Sequence, residues 1–398
     1  MPARLPAAIT ADPALRRVLA ALDGHQALIV GGAVRNALLG VPVVDIDIAT
    51  DARPDQTTAL ARAAGLKAVP TGAEHGTITV IADGRPFEVT TLRRDVETFG
   101  RHAVVAFSDD LSEDAHRRDF TMNALYARPD GTVIDPVGGL PDLAARRLRF
   151  VGDADARITE DYLRILRFFR FHAQYGHPGA ADPDALGACA RHAGGLDRIS
   201  RERIGAEMRK LLAAPDPTDA MRLMADCGVL DRILPGADAA ALPALVAAEA
   251  GIAAELRRAD FPDADGIAPD WRVRLAALGG ADPAAALRLS RDETRALAEL
   301  GFTGPLDEAA YRLGAARAAR IALLRAGRGT TPPPGWPDRI RHAAAQVLPI
   351  RAADLTGDLQ GPALGAGLRA AEAAWIESGF LLPAPALIDI ARLTGKAD

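Results

Sequence analysis

"ALIVGGAVRNALLGVPVVDIDIAT", residues 27–50, is the stretch that decides the fold. It opens as a short apolar strand (Leu28, Ile29, Val30), turns on Gly31-Gly32 and continues as a short helix that Gly40 ends. The closing VVDIDIAT (43–50) alternates β-branched residues with two aspartates. That is the period of a strand, so the spacing predicts Asp45 and Asp47 on one face and Val44, Ile46 and Ile48 on the other. Strand, glycine turn, helix and strand in such quick succession point to a mixed α and β domain.

Two like charges this close disfavour each other's ionisation unless a cation joins them, and Mg²⁺ favours one or two carboxylates plus substrate phosphates. Taken alone, D-x-D equally fits a solvated edge strand or aspartates that cap turns. Gly31-Gly32 before a helix N-terminus lets a phosphate approach unpaired N–H groups, and Arg35 adds a forked donor. An ordinary strand-to-helix turn uses Gly-Gly as well. Together, a phosphate cradle followed by paired carboxylates describes a metal-dependent site for a nucleoside triphosphate.

At 398 residues the chain is long enough for two to four domains. It is 49% hydrophobic and 25% charged, a globular balance, and no apolar run is read as approaching the ~18 residues of a membrane span. The start, MPARLPAAIT, lacks a signal-peptide core, so a cytoplasmic protein without a membrane partner is expected. Cys189 and Cys227 form no disulfide framework or metal spacing and read as core residues. The net charge of −5 argues against a nucleic-acid partner, but its distribution argues the other way. Arginines are dense over 146–149, 157–170 and 198–209, where they form either a basic stripe or merely solvated helix faces.

Strand signals recur at 27–30, 43–48, 76–82, 86–92 and 131–139 and stop beyond Asp153, where Ala-, Leu- and Arg-rich helical periodicity takes over. The expected class is α+β, a mixed head followed by helices. Joints are expected near 213–219, 234–243 and 328–338, the last being the richest in proline.

Three further stretches carry polar chemistry. PFEVTTLRRD (86–95) puts Glu88 in a strand; beside the Asp45 strand it becomes a third carboxylate for the metals, and otherwise it faces solvent. HRRDFTMNALY (116–126) reads as a helix start with Asp119 and Asn123 one turn apart, next to Arg117 and Arg118. Asp119 is either a cap or an acceptor for a ribose hydroxyl. ITEDYLRILRFFRF (158–171) reads as one helix with Asp161, Arg164, Arg167 and Arg170 along one side. An acceptor and a forked donor in fixed geometry can read a base edge, although a surface i, i+3 ion pair has the same spacing.

In order, GGAVRNALLG, DID, LRRD, RRDFTMNAL, DPVGGLPDL, EDYLRILRFFRF and ISRERIGAEMRKLL resemble the class II tRNA nucleotidyltransferase and bacterial poly(A) polymerase family. The resemblance is strong over roughly the first 235 residues and loose beyond. It implies a polymerase-β-like nucleotidyltransferase head (1–150), a base-recognising helical neck (151–215), a helical body (216–330) and a tRNA-binding helical tail (331–398). It implies that Gly31, Gly32 and Arg35 hold the triphosphate, and that Asp45 and Asp47 hold two Mg²⁺, with Glu88 as a further catalytic carboxylate. Arg118, Asp119 and Asn123 would address the nucleotide and its ribose, Asp161 and Arg164 would choose C or A, and Arg167 and Arg170 would support phosphates. RDVETFGRH (94–102) resembles the loop that helps to switch from CTP to ATP, and ISRERIGAEM would brace the base-reading helix. Two positions depart from the family pattern: Asn36 stands where an Asp is usual, and Tyr162 where a Pro is usual.

The implied activity is metal-dependent addition of C, C and A to tRNA 3′ ends from CTP and ATP. Alternatives on the same motifs are a poly(A) polymerase or an enzyme adding only CC or only A. Outside that class stand a catalytically inactive RNA-binding protein and a small-molecule nucleotidyltransferase, the latter disfavoured by the long helical remainder.

Overall fold

The computed structural model describes residues 3–99 and 102–395. Contacts divide the chain into two compact units, Met1–Pro235 and Gly236–Asp398, separated inside the 234–243 stretch. The proline-rich 328–338 segment lies within the second unit.

The first unit holds a seven-stranded mixed sheet. Its strands are β1 (Ala27–Val30), β2 (Asp47–Thr50), β3 (Lys67–Gly72), β4 (Thr77–Ala82), β5 (Arg85–Thr91), β8 (Tyr126–Ala127) and β9 (Val133–Ile134), in the spatial order β3-β4-β5-β2-β1-β8-β9. Only β2 and β5 pair in parallel among these neighbours; the helix Pro54–Ala63 lies between them in sequence, as a parallel crossover requires. Strands β6 (Arg93–Phe99) and β7 (His102–Phe107) form a separate antiparallel ribbon. Of the expected nucleotide-switch loop, Gly100 and Arg101 lie outside the described residues, and the flanking residues form this ribbon.

Strand β2 corrects the sequence reading. It begins at Asp47, so Asp45 precedes the ladder, and Val44 is 82% exposed although the alternation had put it on one face with Ile46 and Ile48. The antiparallel partner β1 ends at Val30, opposite Asp47, where the chain turns at Gly31 into a helix, so the residues before Asp47 have no β1 residue to pair with. Ile46 and Ile48 do turn into the core.

Past β9 the first unit is helical. The helices Ala154–Glu160, Leu163–Tyr175, Pro183–His192 and Arg201–Leu212 follow, with Asp153, Asp182 and Ser200 as N-caps accepting backbone N–H bonds. Phe120, Phe150 and Phe168 are fully buried, and their rings touch, with centroids 4.9 Å and 5.8 Å apart for Phe120–Phe150 and Phe150–Phe168. This aromatic cluster ties the end of the sheet domain to the Leu163–Tyr175 helix.

The second unit is all helical among the described residues. Ala239–Arg258, contrary to the sequence expectation, is long and apolar enough by composition to span a membrane, with a mean hydropathy of 1.5. Its Glu249, however, is held by a two-bond buried ion pair with Arg274 at 2.8 and 2.7 Å, and Leu242, Leu245, Ile252 and Leu256 are buried. Those contacts pack one side of the helix into the second unit, with 33% of its apolar stretch buried. Towards the C-terminus, Gly361–Glu377 packs on Ala384–Gly395 around Trp375, Leu387 and Ala391.

Candidate active site

Gly31 caps the helix Gly32–Leu39 with φ +66°, a conformation that strains any side chain. A Cβ there would lie 3.5 Å from Arg118 Nη1, so the guanidinium closes directly over the turn. Val30 is paired with Asp47, which brings the glycine turn to the head of β2, and across the parallel pair Asp47 stands in register with Glu88. Asp45 lies two residues ahead of Asp47, exposed. Burial, and after it the charge of Glu88, push the Asp47 carboxyl up; Arg118 pulls the other way, and Asp45 adds to the rise. None of the three carboxylates is ion-paired among the described residues. Nor do three metal-binding side chains converge there tightly enough to cage an ion by themselves. An open carboxylate set under mutual repulsion fits a divalent ion that completes its shell with substrate phosphate.

The 116–126 stretch is not the helix that its spacing predicted. The helix Leu111–His116 ends, Phe120 bridges to Phe150, and Thr121–Asn123 makes a single 3₁₀ turn. The one-turn contact nonetheless forms, with Asn123 Nδ2 donating to Asp119 Oδ1 at 3.1 Å. Asp119 Oδ2 accepts from Arg167 Nε at 2.9 Å. Burial raises the Asp119 carboxyl, but the Arg167 charge together with the hydrogen bonds from Arg167, Asn123 and the Phe120 N–H leaves the group below the usual carboxylate range. Arg118 is oriented by Asp114 and Tyr126, with Nη2 2.9 Å from Asp114 Oδ2 and Nε 2.9 Å from the tyrosine hydroxyl. Asp114 also takes Arg117 at 2.6 Å; burial opposes its charge, yet the two arginines hold its carboxyl down at about 2.

Arg35 is only 6% exposed. Its Nε and Nη2 donate to Asn36 Oδ1 at 3.1 and 2.8 Å, its Nη1 to Asn123 Oδ1 at 2.5 Å, and Nη2 also to the Tyr175 hydroxyl at 2.8 Å. At Asn36, the departure from the family pattern, a hydrogen bond thus survives without the charge.

The base-reading stretch is two helices, not one. Ala154–Glu160 stops, Asp161 is extended at φ −152° and ψ 106°, and Leu163–Tyr175 begins afresh. Asp161 Oδ1 accepts from Leu163 N at 3.1 Å while Oδ2 takes Arg203 Nη2 at 2.6 Å. Arg164 bonds Glu160 and the Arg157 carbonyl, the latter at 2.8 Å. Arg170 pairs with Glu207 at 2.8 Å. Tyr162 fills the break by lying on Gly195, where a Cβ would sit 1.9 Å from the ring. A cavity of about 320 Å³ opens between Arg117, Arg118, Asp119, Asp161, Leu163, Arg164, Arg167 and Arg203. Five arginines and two aspartates make it a receptor for an anionic ligand with a polar edge.

Sequence reasoning had placed Arg118, Asp119, Asp161, Arg164 and Arg167 in the site, and the fold brings all five to this one cavity. Gly31, Gly32, Asp45, Asp47 and Glu88 gather beyond Arg118; Arg35 and Arg170, expected on phosphates, are instead bonded within the protein, Arg35 to Asn36, Asn123 and Tyr175 and Arg170 to Glu207. Glu160, Asp114, Arg203 and Tyr175 were missed as individuals. Glu160 adjoins Asp161, and Arg203 lies in the bracing ISRERIGAEM segment, so both had a signal; Tyr175 had none, lying 140 residues from the arginine that it meets.

Residues 27–149 match the poly A polymerase head domain family, and residues 181–241 match the family described as the probable RNA and SrmB-binding site of polymerase A. The CCA-adding enzyme of Geobacillus stearothermophilus is 36% identical over 344 residues, which cover 82% of this chain and 80% of that protein. The mitochondrial CCA tRNA nucleotidyltransferase 1 of Mus musculus is 45% identical over 217 residues, 54% of this chain and 50% of that protein. The chain thus spans about half the length of the mammalian relative in that match. The crystal structure of the Bacillus stearothermophilus CCA-adding enzyme in complex with CTP aligns over 97% of this chain and 100% of its own, with a TM-score of 0.74 at 30% identity.

Proposed function

The chain belongs to the CCA-adding enzyme family, and on that premise we propose that it adds C, C and A to the 3′ end of tRNA from CTP and ATP without a nucleic-acid template. The observation that carries this reading is the cavity in which Asp161 and Arg164 meet Arg118 and Asp119, with Arg118 lying against the glycine turn that leads from the strand beside the Asp47–Glu88 pair.

The geometry supports the following roles. The Gly31 and Gly32 backbone with Arg118 would cradle the triphosphate, because a helix N-terminus and a forked cation both favour phosphate oxygens. Asp161 offers an acceptor and Arg164 a donor fork, and Glu160 and Arg203 fix their directions. Asp119 and Asn123 would address the ribose, and Arg35, Arg167 and Arg170 would hold that wall in place. Asp45 and Asp47, with Glu88 behind them, would hold Mg²⁺. Bound there, two ions would supply charge to the attacking 3′-oxygen and to the leaving pyrophosphate. The helical remainder, with the neck arginines, would bind the tRNA.

Transfer of α-labelled CTP onto a tRNA transcript lacking its last three nucleotides tests the reading. Label should appear in the tRNA with Mg²⁺ and vanish with a chelator. Label that never enters RNA would refute the proposal.

A further inference from the structure

The hydrogen bonds around Arg35 close into a ring. Tyr175, the last residue of the Leu163–Tyr175 helix, accepts from Arg35 Nη2 at 2.8 Å, and Arg35 Nη1 donates to Asn123 Oδ1 at 2.5 Å. Asn123 Nδ2 donates to Asp119 Oδ1 at 3.1 Å, and Asp119 Oδ2 accepts from Arg167 Nε at 2.9 Å. Arg167 belongs to the same helix as Tyr175, about two turns earlier. The circuit therefore leaves the base-reading helix, passes through the ribose wall and the glycine-loop helix, and returns.

The ring fixes more than position. Because Arg35 occupies Asn123 Oδ1, the amide nitrogen must face Asp119, so one orientation of that side chain is selected. Arg35 has no ion-paired carboxylate among the described residues, since its sequence neighbour is the neutral Asn36. A buried guanidinium in that situation needs another source of stabilisation. The Tyr175 ring supplies it, with Arg35 Cζ 3.8 Å from the ring centroid, and the Phe171 ring lies 5.2 Å away. Phe171 also lies under Arg167 and Arg170, at 5.5 and 4.2 Å, and stacks on Tyr175 with centroids 5.8 Å apart. One aromatic pair thus holds both ends of the circuit.

We infer that Tyr175 is a positioning residue for the incoming nucleotide, acting through Arg35 to hold Asn123 and Asp119 in register with the helix that carries Arg164. The inference rests on the proposed nucleotidyl-transfer reading of the site. Tyr175 does not line the cavity, so its effect on substrate travels through Arg35.

The test is a double-mutant cycle on the full chain with tRNA lacking its 3′ CCA, using Tyr175→Phe, Asn123→Ala and the pair. The readouts are kcat/KM for CTP and for 2′-deoxy-CTP, and Tm. Tyr175→Phe removes the hydroxyl and keeps the ring. It should lower kcat/KM for CTP about 10- to 150-fold, the range expected when a hydrogen bond to a charged group is lost. It should lower the deoxy value less and leave Tm within about 3 °C. The double variant should be no worse than Asn123→Ala alone. Additive losses, or a fall in Tm with both kcat/KM values unchanged, would overturn the inference. The ribose assignment fails separately, if Asn123→Ala leaves the ratio of CTP to 2′-deoxy-CTP as it was; the cycle then still decides whether Tyr175 acts through Asn123. Should Asn123→Ala be too slow to measure, Arg35→Lys replaces it in the cycle. Wild-type protein that transfers no nucleotide refutes the proposed function and the inference together.

Discussion

Asp47 and Glu88 stand directly opposite each other across the parallel pair of β2 and β5, two carboxylates in register with no ion-paired partner among the described residues. A fold tolerates such repulsion where a cation relieves it. Mg²⁺ should therefore raise the Tm of the wild-type protein, whereas Asp47→Asn should abolish transfer, keep tRNA binding and lose the Mg²⁺-dependent rise. Thermal melts with and without the ion, beside a filter-binding assay, check this; equal Mg²⁺ shifts in both proteins would remove Asp47 from the metal site.

Arg164 is held by Glu160 and by the Arg157 carbonyl. Arg164→Ala should lower discrimination between CTP and ATP by about tenfold or more, on the scale of a lost bidentate base contact. Glu160→Gln should have a smaller effect of the same kind. Single-nucleotide incorporation measures both, and an unchanged preference in Arg164→Ala would take that residue out of base selection.

Asp114 links the fold to acid stability. Its carboxyl is held down at about 2 in the folded protein against 3.8 ordinarily, by Arg118 and Arg117 working against burial. A lowered folded-state value stabilises above pH 4, and that contribution is lost as the pH falls from about 4 to about 2. It is on the order of 2 kcal/mol. In Asp114→Asn that loss should be missing from the stability curve between pH 4 and pH 2, with lower stability at neutral pH. Urea melts across that range decide it; parallel curves for the two proteins would contradict the assignment.

Gly195 has no room for a side chain, since its Cβ would fall 1.9 Å from the Tyr162 ring. Gly195→Ala should destabilise by about 1–3 kcal/mol, the usual cost of overpacking. Adding Tyr162→Ala should recover part of it, because the three atoms nearest to that Cβ all belong to the Tyr162 ring. Melting temperatures of the single and double variants test the pair, and a neutral Gly195→Ala would mean that Tyr162 does not fill the helix break.

Despite a net charge of −5, five arginines line one cavity. Affinity for tRNA should fall steeply with added salt, as each neutralised phosphate releases counterions. Binding titrations from about 50 to 200 mM salt measure the slope, and a flat response would mean that the neck arginines do not track the RNA backbone.

The strand, glycine turn and helix over residues 27–40 were legible because each obeys a local rule of spacing and backbone conformation. The late start of β2 was less so, because alternation alone does not show that the partner strand ends opposite Asp47. Likewise the period of 158–171 was helical throughout, and nothing local marks Asp161 as extended; that conformation is stabilised by Arg203 on another helix and by Tyr162 lying on Gly195. The contact of Asp119 with Asn123 was foreseen at helical spacing and is met instead through a 3₁₀ turn. Tyr175 was invisible because its chemistry depends wholly on a residue from the other end of the unit.

The central claim is tested most directly by sequencing the 3′ ends formed when the purified protein is given CTP, ATP, Mg²⁺ and a tRNA transcript lacking its last three nucleotides. Two C residues, then one A, then arrest are expected. A run of A residues added from ATP alone, or a transcript that stays unextended, would contradict the claim.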